Sequence, residues 1–234
     1  MDSEGFHPAV PLGGALVLLL VQLVIAPIAA FVLIAPLFTL LAGVPSVAFN
    51  RGAGLGLVSI VGGLLTIGAL WVFARRWPAP REALALVPGR LPWWVAPPAV
   101  LGLAIAIDMV TAFAGRPIIP EQLAPLFSGG VDSLLLAIAI VAAAPPVEEL
   151  VYRGALYGAL EARWGVRLAF GVTTVLFALV HVGTYGADLW ALGQLLLLGG
   201  LLTWLRAASG SLVPSLIGHG VANAYATALI LLTR

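Results

Sequence analysis

Seven apolar runs, each long enough or nearly long enough to cross a bilayer as a helix, constrain this chain more than any other feature. They fall at residues 12–42, 53–74, 95–114, 131–147, 167–183, 189–205 and 211–232. A hydrocarbon core of about 30 Å takes roughly 20 helical residues, and lipid offers no partner to an unpaired backbone group. Runs of this kind therefore become transmembrane helices. The composition agrees, with 62% of the 234 residues hydrophobic and 9% charged. The expected fold is all-α: a polytopic helical membrane bundle of about seven transmembrane helices with a membrane-embedded polar cavity. The first run is the longest, and its Pro27 and Pro36 point to tilt, a kink or a partly re-entrant stretch. Residues 1–130 read as an N-terminal set of about three spans. Residues 131–234 read as a core domain that carries the polar motifs.

The formal net charge of +1 gives no electrostatic case for nucleic acid as a partner. The chain has no cysteine, which removes disulfides, thiolate metal ligands and cysteine nucleophiles. Every one of the 11 basic residues is Arg, a coding bias of the kind a GC-rich bacterium shows. Their placement sets an orientation. Arg75, Arg76, Arg81, Arg90, Arg153, Arg163, Arg167 and Arg206 fall on one side, against Arg51, Arg116 and Arg234 on the other. Positive-inside bias puts the first side in the cytoplasm, with the N-terminus in and the C-terminus out. The seven Trp residues lie near span ends, as an interfacial belt does. Asp2 and Glu4 stand where a signal peptide has its basic region, so a removable leader is not expected. The expected location is a cell membrane, crossed several times, and specifically a bacterial inner (plasma) membrane. The longest polar connection, 75–94, reads as a cytoplasmic loop with a short surface helix.

Against this background the ionisable groups of the last third stand out, because a charge at the centre of a membrane helix costs about 2.5–3.5 kcal/mol on insertion scales. They fall into three patterns: Glu148-Glu149-x-x-x-Arg153, Phe177-x-x-x-His181 and His219-x-x-x-Asn223. Pro146 disfavours helix at Pro145, so a break or kink is expected there. A new helix then starts at about Pro146 and holds Glu148 and Glu149 in its first turn, where the helix dipole favours carboxylates. Glu149 and Arg153 are four apart and share a face, so they are expected to pair. Glu148 lies about 100° round the helix and is left for chemistry. Taken singly, each pattern has a plainer reading: a solvated helix face, a satisfied polar group at a span end, an interhelical hydrogen bond. One shared site gives all three a common reason.

Two chemistries suit such a site. A carboxylate beside an imidazole activates water as a general base, while a second imidazole and an amide donate to an oxyanion. Alternatively Glu148, His181 and His219 hold a catalytic zinc, with the other Glu as base. The spacing does not choose between them. Of the remaining polar groups, Asp108 is expected to face the bundle interior, pairing with an Arg or lining the cavity. Gln22 and Gln194 are expected to bond between helices, the pairs Gly62-Gly63 and Gly199-Gly200 to allow close packing, and Tyr152 to form a wall or an interfacial anchor.

With EELVYR at 148–153, FALVH at 177–181 and HGVAN at 219–223, the chain resembles the CPBP family of intramembrane proteases, also called the CAAX-protease and bacteriocin-processing or Abi family. The resemblance covers roughly residues 131–232, and the N-terminal half matches only in spanning the membrane. It implies a membrane-embedded endopeptidase acting on a peptide or membrane-protein substrate, in eukaryotic relatives next to a prenylated CAAX C-terminus. It further implies that Glu148 and His181 activate the attacking water, that His219 and Asn223 stabilise the oxyanion, and that Glu149, Arg153 and Phe177 support them. Zinc is the cofactor that the family's metalloprotease description implies, and a metal-free glutamate mechanism is its alternative. The competing reading is a non-enzymatic membrane scaffold or immunity protein on the same fold.

Overall fold

The computed structural model of the protein describes residues 9–42, 52–186 and 188–233; Asp2, Glu4, Arg51 and Arg234 lie outside them. Among the described residues there is no strand. Seven long helices form the bundle: α1 (residues 12–42), α2 (Gly52–Ala74), α3 (Trp93–Phe113), α4 (residues 130–164), α5 (residues 166–179), α6 (Leu189–Ser209) and α7 (Val213–Leu232). Among the described residues six helical stretches are long and apolar enough to cross a membrane, and the longest, Gly130–Thr184, contains both α4 and α5. Gly165 divides them with φ 82° and ψ 168°, a conformation that a side chain resists. The chain is thus a multi-pass helical membrane protein. Its lipid-facing surface is apolar, as on α1, where Ile28, Val32 and Leu33 are exposed.

Prolines do not interrupt the bundle helices where local rules expect them to. The first run is one continuous helix, neither re-entrant nor doubled back, with a π turn at Val21–Ile25 just before Pro27. The break expected at Pro145-Pro146 is likewise absent. A π turn at Ala139–Ala143 precedes the two prolines, a second at Glu149–Leu156 follows, and the helix continues through both. Glu148 and Glu149 therefore lie deep within α4 and not in a first turn, and the helix-dipole argument for their charge does not apply.

The physical reason is visible in the hydrogen bonds. In the wide turn the Ala144 N–H donates to Ala139 O. Ile140 O then has no backbone donor, because its next candidate, Pro145, carries no N–H. The side chain of Asn223 supplies one from α7, Nδ2 to Ile140 O at 2.8 Å. A tertiary contact thus repairs what the local sequence removes.

The connection 75–94 holds a short helix, Pro80–Ala83, as expected. The chain around it is more buried than a surface loop: Ala83 and Leu84 pack in one cluster with Val10, Leu18, Ala155 and Ala159, and Ala85 is buried as well. Its backbone is tied to the α6–α7 turn. Leu212 N–H donates to Ala85 O at 2.8 Å, Arg90 N–H to Ser209 O at 2.8 Å, and Ser211 Oγ to Val87 O at 2.6 Å. This strap fixes the start of α7, which carries His219.

Candidate active site

The polar centre is built on α4, α5, α6 and α7. Glu149 and Arg153 are fully buried and pair as the spacing predicts, Arg153 Nη1 donating to Glu149 Oε1 at 2.6 Å. The remaining guanidinium donors reach α6: Nη2 to Gly199 O at 3.3 Å and Nε to Thr203 Oγ1 at 3.4 Å. Thr203 in turn donates to Gly199 O at 2.7 Å. Arg206 Nε donates to Arg153 O at 3.1 Å, meeting a backbone acceptor in the π turn. A buried ion pair is held only if its spare donors and acceptors are also satisfied, and Gly199, Thr203 and His219 provide most of that satisfaction here.

His219 is the seventh residue of α7 and 3% exposed. Its Nδ1 lies 2.9 Å from Glu149 Oε1. A carboxylate oxygen accepts, so this contact places a proton on Nδ1 and turns Nε2 the other way. Nε2 faces Glu148, whose Oε2 is 3.8 Å away. That oxygen accepts no hydrogen bond among the described residues. The two neighbouring glutamates thus hold opposite sides of one imidazole: Glu149 orients it and Glu148 meets its outer nitrogen.

Phe177 is the packing centre of the site. Its ring has the Arg153 guanidinium at 4.1 Å, the His181 ring at 4.9 Å, the His219 ring edge-on at 5.6 Å and the Tyr152 ring edge-on at 5.8 Å. Any Cβ at Gly199 would come within 2.9 Å of Phe177 Cδ1, which is why that helix carries glycine there. At Gly62 a Cβ would meet the Ala26 backbone at 3.6 Å, an ordinary contact, whereas at Gly63 it would meet the Val147 side chain at 3.1 Å, a tight one. Tyr152 is a buried wall and not an interfacial anchor.

His181 sits at the end of α5, where its Nδ1 lies 2.7 Å from Phe177 O. A carbonyl only accepts, so Nε2 is the basic nitrogen of this ring. The imidazole that approaches Glu148 at 3.8 Å is therefore that of His219. Asn223 is engaged through Nδ2 with Ile140 O. Replacing Asn223 with Leu orphans that carbonyl and is expected to cost about 1–3 kcal/mol of stability, read as a lower midpoint of thermal unfolding in lipid nanodiscs.

A catalytic zinc needs three protein ligands that converge on one point. Among the described residues no three His, Asp or Glu side chains gather as a metal site needs. The residues present do not fit a three-ligand zinc site.

Outside the site, Asp108 is bonded to Tyr225, whose OH donates to Oδ2 at 2.6 Å, and not to an Arg. Gln194 bonds between helices as expected, Nε2 to Thr111 Oγ1 at 2.7 Å. Gln22 differs: its Oε1 is buried without a partner among the described residues. Thr203, Gly199 and Arg206 are the site residues that sequence reading missed. Their signal was weak: an Arg just before a span end, and a Thr four residues after a glycine in an apolar helix.

Fold and site together define a helical membrane protein with a charged, imidazole-containing cluster buried in its bundle. Residues 130–225, which contain all three motifs, match the model of the Rce1-like family, type II CAAX prenyl endopeptidases. The chain is also 32% identical over 81 residues to the UPF0177 protein YxdF of Lactococcus lactis subsp. lactis (strain IL1403). That match covers 35% of this chain and 42% of the relative, so the chain spans less than half the relative's length. The similarity to Rce1-like proteins thus lies within the C-terminal half of the chain. No solved structure matches it.

Proposed function

We propose that the protein is an intramembrane endopeptidase in which Glu148 is the general base. The observation that carries this reading is the placement of Glu148 Oε2, without a hydrogen bond and 3.8 Å from the Nε2 of an imidazole that Glu149 holds from behind. A base needs an open lone pair and a fixed electrostatic setting, and this carboxylate has both. In the reaction a water oxygen attacks the scissile carbonyl carbon while its proton passes to Glu148. The new oxyanion takes a hydrogen bond from Nε2 of His219. Collapse breaks the C–N bond, and Glu148 returns its proton to the leaving amine. Glu149 and Arg153 hold His219 by supplying fixed charge behind it. Asn223 keeps α7 in register with the π turn before Glu148. His181 belongs to the same reading as a second water-orienting group, placed by the Phe177 carbonyl.

The substrate in this reading is a membrane-associated peptide or protein. The Rce1-like match adds a C-terminus with a prenylated cysteine as the first substrate class to offer. The test is cleavage by purified protein in liposomes of farnesylated and unprenylated C-terminal peptides, read by mass spectrometry. Cleavage at one bond supports the reading. Intact peptides across the panel, with a folded protein, would turn the account to a non-enzymatic scaffold.

A further inference from the structure

A chamber of about 190 Å³ lies between α1, α2 and α4, lined by residues that include Gln22, Thr66, Ala143, Val147 and Glu148. Its walls are otherwise mainly small or apolar, with Gly62 and Gly63 on the α2 side. At roughly 30 Å³ per water it has room for several waters or for one residue of a bound chain. Two of its lining residues carry buried oxygens without donors among the described residues, Gln22 Oε1 and Glu148 Oε2. Two unmet acceptors in an apolar space select an occupant that brings N–H or O–H groups.

The helix geometry converges on the same place. All three π turns among the described residues border this chamber or the carboxylate at its edge. Gln22 lies in the first, Ala143 in the second, and Glu148 directly precedes the third. Such turns widen a helix and redirect its side chains, and they collect at functional positions. Gln22 lies far outside residues 130–225 and in none of the three motifs.

We propose that this chamber is the substrate subsite beside Glu148, and that Gln22 positions a bound peptide there by accepting a hydrogen bond from a backbone N–H next to the scissile bond. The inference rests on the peptidase reading for the identity of the ligand, and it gives α1 a direct part in recognition. Gln22 is a positioning residue and does not enter the bond-breaking step.

The probe is a dansylated C-terminal peptide with a farnesylated cysteine, together with versions in which each amide flanking the scissile bond is replaced by an ester. Affinity is read as KM where the protein cleaves the probe and as Kd by fluorescence where it does not. Gln22→Met is expected to weaken affinity about tenfold with kcat within twofold, and Gln22→Glu, which keeps an acceptor, to retain it. One ester is expected to weaken the wild type by the same about tenfold, with no further loss in Gln22→Met. The ester arm on wild-type protein stands even if a variant misfolds. Equal affinity of every ester and of Gln22→Met would overturn the subsite, even if cleavage proceeds. Binding that depends on Gln22 without cleavage would support the subsite and overturn the peptidase. No binding of any probe to folded wild type would overturn both.

Discussion

Glu148→Gln is expected to remove about 10²–10⁴-fold of turnover while leaving the protein folded. The two halves of this result have separate causes. Gln keeps the size of the side chain, but its amide cannot take a proton from water. Stability is spared because Glu148 Oε2 makes no hydrogen bond among the described residues and the group is not matched to Arg153. Its nearest charged approach, to His219 at 3.8 Å, is longer than a hydrogen bond. KM is expected to change little, since the substitution acts on the transition state. The check is kcat and KM beside the thermal unfolding midpoint of the same preparations.

Arg153→Met is expected to give a different pattern, a loss of about 3–5 kcal/mol of stability, with activity falling through the fold and through the loss of fixed charge behind His219. Arg153 is fully buried and holds three acceptors in place: Glu149, Gly199 O and Thr203. Met fills much of the same volume but leaves Glu149 buried without its cation, held by His219 and Ser215 alone among the described residues. It also removes the cation that lies 4.1 Å from the Phe177 ring, and with it one wall of the pocket around His219. The double replacement Arg153→Met with Glu149→Leu is expected to recover part of this stability, because no charge is then left unpaired. Denaturant or thermal unfolding of the single and double variants in nanodiscs measures the difference.

The sequence carried the helices and the partners that lie along one helix. Seven apolar runs became seven helices within a few residues at most ends, and Glu149–Arg153 and Phe177–His181 met because four residues return to the same face. Contacts between helices were not legible, since they depend on rotation and tilt that spacing does not encode. That is why His219 came out 3.8 Å from Glu148, why Asp108 found Tyr225, and why Gln22 faced a chamber. The prolines misled for a related reason. A local rule expects a break at Pro145, but the carbonyl freed there is met by Asn223 from 83 residues away. The same residue that reads as an oxyanion donor in its motif is thereby engaged in holding α4 to α7.

The central claim is that Glu148 takes the proton of a water that attacks a peptide bond. Mass spectrometry of peptide products formed in H₂¹⁸O tests it most directly, with wild type and Glu148→Gln side by side in the same lipid. The account predicts one ¹⁸O atom in the new C-terminal carboxylate from the wild type and no detectable product from folded Glu148→Gln. Labelled product formed at equal rates by both proteins would contradict it.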